Sequence, residues 1–255
     1  MADPIRVEDA FDRVRIIRID RPEKKNALTG AMYSAMTEAL QRADSDSTVR
    51  VVLITGTETC FTAGNDLADF AAAQPGQPAP AIRYLEALAA VTKPVIAAVN
   101  GVAIGIGTTM LLHCDLVYAA SDARFQLPFV NLGLCPEAAS SLILPARIGH
   151  ARAAQLLFFG EPFGVEMAYD LGLINEIFED VDLLPGALRR AQKLAEKPPQ
   201  ALRITKRLLK TAQSDAIKLA MARETEQFAA LLQAGEAKEA MTAFLERRKP
   251  DFSRF

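Results

Sequence analysis

Residues 95–107 read VIAAVNGVAIGIG. The first five, Val95 to Val99, form an unbroken apolar run with the length and β-branching of a strand covered on both faces. Gly101, Gly105 and Gly107 then break the run into a glycine-rich turn, and the segment near Thr108 to His113 has the character of an apolar helix. A helix that starts on such a turn presents free main-chain N–H groups and a partial positive charge, which together stabilise negative charge. A dinucleotide fingerprint fits poorly: Gly105 and Gly107 supply GxG, but the third glycine position is Met110. No GxxxxGK[ST] and no GxSxG occurs.

Working outward, Val51 to Thr55 (VVLIT) is a second run of the buried-strand type, and Asp115 to Ala119 is a third strand candidate. Arg13 to Asp20 (RVRIIRID) alternates apolar residues with arginines, and the slip in phase between Ile16 and Ile17 suggests a bulge. Thr29 can cap a helix whose apolar positions Met32, Ala35, Met36, Ala39, Leu40 and Ala43 recur at helical spacing. Strands alternating with helices predict an α/β fold. Beyond Pro136 helical patterns take over: Ala138 to Ala146, Ala151 to Phe158, Leu183 to Glu196, Gln200 to Thr211, Asp215 to Gln233 and Ala237 to Arg248. Pro198-Pro199 divides an α/β core, residues 1–197, from a helical region, residues 198–255, of the same catalytic unit. Ala72 to Pro80 (AAQPGQPAP) reads as a loop, either plain surface or a cover for substrate.

Composition narrows the chemistry. Of 255 residues, 50% are hydrophobic and 24% charged, with a net charge of −2, which disfavours a dedicated nucleic-acid or anionic-membrane surface. Cys60, Cys114 and Cys135 are too scattered for a disulfide framework, and with only His113 and His150 a His/Cys metal site is not expected. The same scarcity argues against a Ser-His-Asp or Cys-His nucleophile. No apolar stretch is long enough to span a membrane, and the N-terminus lacks a leader pattern, so the expectation is a cytoplasmic protein.

Two further motifs could carry chemistry. Phe61-Thr62-Ala63-Gly64-Asn65-Asp66-Leu67 places a small-Gly-polar-Asp run just after a strand, the pattern of a tight turn with outward N–H groups, although alone it is most often only a turn with Asp66 as a helix cap. Leu134-Cys135-Pro136-Glu137-Ala138-Ala139-Ser140-Ser141 places Pro and Glu before an apolar helix, which by itself is ordinary helix-starting chemistry.

These three motifs, in this order and spacing, resemble the crotonase (enoyl-CoA hydratase/isomerase) superfamily. The likeness runs from Arg21-Pro22-Glu23-Lys24-Lys25-Asn26-Ala27-Leu28 through Leu171-Gly172-Leu173-Ile174-Asn175 to Ala243-Phe244-Leu245-Glu246-Arg247-Arg248-Lys249-Pro250. The resemblance implies a spiral of β-β-α units with a C-terminal helical trimerisation region, hence a homotrimer or a hexamer of paired trimers. It implies an acyl-CoA substrate, no cofactor beyond the coenzyme A carried by it, and a thioester oxygen held by the main-chain N–H groups of Asn65 and Ile106. Ala63, Gly64, Asn65, Asp66 and Leu67 would line the CoA, with Lys24 and Lys25 near its adenine and phosphate end.

Hydratases of the family carry two glutamates, at positions that correspond to Thr109 and Phe129 here; Thr109 could bond water but is a poor general base, and Phe129 cannot transfer protons. Glu137 stands where peroxisomal-type Δ3,Δ2-enoyl-CoA isomerases carry their single glutamate. The implied activity is that isomerisation, with Glu137 as proton carrier in an apolar surround from Phe129, Leu134 and Leu132 that raises its pKa. A hydratase, a dienoyl isomerase and a thioester hydrolase remain alternatives within the family. Outside it stands a non-catalytic acyl-CoA or RNA-binding protein, for which Arg203, Lys206, Arg207 and Lys210 would supply a basic stripe unless they are simply a solvated helix face.

Overall fold

The computed structural model describes residues 3–11, 13–66, 68–69 and 79–255. Most of the Ala72 to Pro80 loop, through residue 78, lies outside them, as does Leu67. The main sheet has six strands in the order β1-β2-β3-β4-β6-β9: Ile5–Ala10, Val14–Ile19, Val51–Thr55, Val95–Val99, Leu116–Ala120 and Glu176–Phe178. Only β1 and β2 form an antiparallel hairpin; from β2 onward the neighbours are parallel. Three short strands, β5 (Val102–Ile104), β7 (Arg124–Gln126) and β8 (Phe163–Gly164), make a second sheet. Along the chain β4 is followed by β5, and β6 by β7, so these two turns of the spiral each contribute one strand to each sheet. This is the crotonase fold that the resemblance implies.

Parallel strands need covering on both faces, and alternate residues divide between two apolar clusters. Val52, Ile54, Ala97, Val99, Val117 and Ala119 face helix α1 (Gly30–Ser45), helix α2 (Pro80–Ala90) and the small sheet. Val51, Leu53, Ile96, Ala98, Tyr118 and Ala120 face the long helix Asp180–Ala195 through Leu183, Ala187 and Ala191. That is why VVLIT and VIAAV carry no polar alternation.

The same division accounts for RVRIIRID without the bulge. Val14 and Ile16 belong to one cluster, Ile17 and Ile19 to the other, and β2 pairs with β1 in unbroken register from Ala10↔Val14 to Ile5↔Ile19. The apparent slip in phase records two buried faces. Arg15 leaves the sheet to pair with Asp9 at 2.7 Å, and Arg18 donates to the Gly56 carbonyl at 3.1 Å.

Thr29 caps α1 as expected, its hydroxyl accepting from the Met32 N–H at 3.3 Å. The expected C-terminal helices are present as Ser140–Ile148, His150–Phe159, Asp180–Ala195, Pro199–Thr211, Ser214–Leu232 and Gly235–Leu245. No helix among the described residues is long and apolar enough to cross a membrane. The basic stripe on Pro199–Thr211 is only partly a solvated face. Arg203 and Arg207 are exposed, but Lys206 is buried and its ammonium donates to Asp115 at 2.6 Å and to the Lys93 carbonyl at 2.7 Å. Asp115 in turn accepts from the Val95 N–H at 2.8 Å, so one carboxylate ties the helix to the start of β4.

Lys206→Ala should therefore lower the unfolding free energy by roughly 1.5–3 kcal/mol, as expected for a hydrogen bond to a charged group. Urea denaturation reads this directly, and a loss under about 0.5 kcal/mol would mean that the pair adds nothing.

Candidate functional site

Two glycine turns lie side by side because the main chain pairs them. Thr62 forms a parallel bridge with Ala103: its N–H donates to Val102 at 3.0 Å and its carbonyl accepts from Ile104 at 3.1 Å. On the other side Leu28 bridges Asn65, using the Gly64 carbonyl at 2.8 Å and the Asp66 N–H at 2.9 Å. In a parallel bridge of this kind the bonds come from the flanking residues, so the N–H of Asn65 itself is left over. Ile106 opens helix α3 (Ile106–Thr109), where first-turn N–H groups have no intrahelical acceptor. Among the described residues neither the Asn65 nor the Ile106 N–H has a protein acceptor.

Glycine makes this approach possible. Gly64 has φ +89°, and a Cβ there would fall 2.7 Å from the Ile104 carbonyl oxygen. A Cβ on Gly107 would fall 2.6 Å from Cγ2 of Thr62, which cannot turn away because its hydroxyl donates to the Asn26 carbonyl at 2.6 Å and accepts from Gly64 N–H at 3.1 Å.

Glu137 reaches this cradle from the far side. The local sequence places it in the first turn of a helix, but the helix α4 (Ser140–Ile148) begins three residues later. Ala138 and Ala139 intervene at φ 62° and 55°, left-handed conformations that cost a non-glycine residue roughly 1–2 kcal/mol each. The Thr109 hydroxyl donates to Oε1 of Glu137. Thr109 is three residues along α3 from Ile106, hence on the same helical face. From α1, the Tyr33 hydroxyl donates to Oδ1 of Asn65 at 2.5 Å. Burial, and after it the negative charge of nearby Glu137, push the Tyr33 phenol well above its ordinary range. Asn65, Ile106 and Glu137 are thus brought together.

Burial pushes the Glu137 carboxyl up to about 8; the Thr109 hydrogen bond opposes this and the negative charge of Glu224 adds to it. Phe129 and Leu134, expected as its apolar surround, are both buried. Asp66 sits differently. Its carboxylate pairs with Arg21 at 2.8 Å and accepts from the Ala68 and Asp69 N–H groups, and the Arg21 bond holds it below the usual carboxylate range. That is a structural ion pair and a cap. Lys24 and Lys25 are exposed, with the Lys25 carbonyl accepting from Ala63 N–H at 3.0 Å, so both lie beside the segment that begins the first glycine turn. Three neighbours of the acid escape a reading of the sequence: Tyr33, His113 and Glu224. Tyr33 sits between apolar helix positions, and Glu224 stands in a charged helical stretch, so neither carries a local signal.

Gly107→Ala should cost roughly 1–3 kcal/mol of stability, because the added methyl meets a side chain fixed by two hydrogen bonds. Denaturant unfolding measures it, and an unchanged midpoint would show that the two turns can separate freely.

Comparison with known proteins identifies the family. The family model for enoyl-CoA hydratase/isomerase matches residues 10–254. The 2,3-dehydroadipyl-CoA hydratase of Escherichia coli (strain K12) is 35% identical over 244 residues, covering 94% of this chain and 95% of that protein. Enoyl-CoA delta isomerase 2 of Rattus norvegicus is 33% identical over 239 residues, which is 91% of this chain and 61% of the rat protein. The crystal structure of enoyl-CoA hydratase/isomerase from Pseudoalteromonas atlantica T6c superposes with a TM-score of 0.93 at 41% identity, over 98% of this chain and 100% of that one. With family model, sequence and fold in agreement over nearly its whole length, the chain belongs to the enoyl-CoA hydratase/isomerase family and is an enzyme of the crotonase type.

Proposed function

We propose that the enzyme is a Δ3,Δ2-enoyl-CoA isomerase in which Glu137 is the only proton carrier. The observation that carries this reading is a partly buried carboxyl hydrogen-bonded by Thr109 to the helical face that begins at Ile106, with burial pushing its pKa up to about 8. A 3-enoyl-CoA binds with its thioester oxygen between the N–H groups of Asn65 and Ile106. Glu137 removes a proton from C2, and the electron pair spreads through the adjacent double bond and onto that oxygen. The proton then passes from Glu137 to C4, the double bond comes to rest between C2 and C3, and the carboxylate is restored. Nothing is oxidised or reduced, so the reaction calls on no cofactor beyond the coenzyme A of the substrate.

Two main-chain donors suit this step, since each such group typically supplies about 2.7–4 kcal/mol to a developing oxyanion. A base that must also return the proton works best with its pKa close to the working pH, which the burial of Glu137 provides. The relatives include a hydratase, and hydration remains the competing reading. It would require acidic groups to activate water, but the two family positions for them hold Thr109 and Phe129, the first donating to Glu137 and the second buried. Exposed and beside the first glycine turn, Lys24 and Lys25 would meet the adenine and phosphate end of the coenzyme.

We further infer a trimer or a pair of trimers. Leu208, Leu209, Phe244 and Leu245 on the C-terminal helices are more than 60% exposed and supply apolar surface for such contacts. Light scattering should report three or six chains; a monomer at micromolar concentration would overturn the assembly.

Glu137→Gln should reduce isomerisation of 3-hexenoyl-CoA by at least about 10³-fold while CoA-ester binding persists; retention within about tenfold, 1.4 kcal/mol of barrier, would remove Glu137 from the role. The base must be ionised in the free enzyme, so kcat/KM should climb as pH rises through about 8 and level off above it. A profile flat from pH 6 to 9 would contradict the assignment. In the same preparation, crotonyl-CoA hydration faster than isomerisation would favour the hydratase reading.

A further inference from the structure

The turn that carries Glu137 is not self-supporting. Two consecutive alanines in the left-handed region, both buried, need outside contacts to stay there. Four hydrogen bonds supply them. His113, whose pKa burial lowers to about 4, is neutral and donates from Nε2 to the Ala138 carbonyl at 2.8 Å. The Ser140 hydroxyl donates to the Glu137 carbonyl at 2.6 Å. The other two end on one side chain, Glu224 of the helix α9 (Ser214–Leu232): Oε2 accepts from Ala139 N–H at 2.6 Å and Oε1 from Ser141 N–H at 2.9 Å.

Glu224 is an unusual choice for a mere packing contact. It is 7% exposed, and among the described residues it has no Lys, Arg or His partner. A buried charge without a counter-ion is costly. Here the cost is offset by two N–H groups at the start of α4, where the helix dipole favours an anion. No single neutral acceptor oxygen could hold both N–H groups in this forked arrangement.

We propose that Glu224 is a positioning residue for the isomerisation: its carboxylate clamps the left-handed turn at Ala138 and Ala139 and so holds the Glu137 carboxyl against Thr109. This rests on the reading of Glu137 as the base. The clamp also has an electrostatic side. The groups facing Glu137 are the Thr109 hydroxyl from α3, the Tyr33 phenol from α1, the Cys135 thiol on its own loop, neutral His113 behind the turn, and Glu224 from α9. Of these only Glu224 brings a negative charge that makes Glu137 a stronger base, complementing the effect of burial.

The test compares Glu224→Ala, Glu224→Gln and Glu137→Gln for 3-hexenoyl-CoA isomerisation across pH, with circular dichroism to verify folding. Glu224→Ala should lower kcat roughly 10²-fold with KM within about threefold, as expected when a catalytic group is displaced by about an ångström. Glu224→Gln keeps one acceptor oxygen and should recover part of that loss. Its rise in kcat/KM should move to lower pH by about half a unit or more, because a neighbouring negative charge has been removed. An unmoved pH profile in Glu224→Gln, together with kcat within twofold of the parent, would overturn the clamp while leaving the base intact, provided Glu137→Gln is inactive. Should Glu224→Ala fail to fold, Glu224→Gln alone decides by the same criterion. If Glu137→Gln retains turnover, the base assignment falls and the clamp falls with it.

Discussion

The main-chain pairing of Thr62 with Val102 and Ile104 is the contact on which the site depends. It belongs to neither long strand, yet it fixes how far apart the two glycine turns stand. The large sheet brings the turns to the same edge, since β3 and β4 are parallel neighbours and each runs into one of them. The bridge then closes the remaining gap, and the absence of side chains at Gly64 and Gly107 lets it close. Helix α3 starts from this point, which sets where Ile106 and Thr109 lie. Glu137 is then located relative to Thr109. Position passes from sheet to turn, from turn to helix, and from helix to acid.

The elements legible in the sequence are those whose burial is uniform. VVLIT and VIAAV can be read because both faces of the sheet are covered, and the helix after Thr29 because its apolar stripe and cap agree. RVRIIRID was misleading for the same reason that made the others clear: two buried faces imitate a break in alternation. The strands of the small sheet carry two or three residues each, too few for a period to show. Glu137 could be picked out only through its resemblance to a family. Its neighbourhood reads locally as a helix start, and the local preference is overridden by contacts that come from Glu224, 85 residues away from Ala139. Lys206 escaped for a related reason, since a lysine at helical spacing looks solvated until a half-buried aspartate is found opposite.

Two acids within one small region, Glu224 buried and Glu137 partly so, occupy different situations. Both carboxylate oxygens of Glu224 accept from main-chain amides. Among the described residues the Glu137 carboxyl has one hydroxyl partner, which leaves its other oxygen uncommitted. In the proposed reaction the contrast sets a fixed charge beside a mobile proton, on two acids that lie far apart in the sequence. It also makes the C-terminal helices part of the chemistry, because α9 reaches the turn directly and Met221 and Ala237 enter the main core.

Because the anion cradle is assembled from peptide groups, it has no ionisation of its own. Amide hydrogens at Asn65 and Ile106 remain donors from acid to alkali, and replacing either side chain leaves the donor atoms in the chain. Sequence drift at those two positions can thus reshape the walls without erasing the polarity of the floor. Alanine substitution there removes a side chain, including the Asn65 oxygen that accepts from Tyr33, but leaves both donors in place.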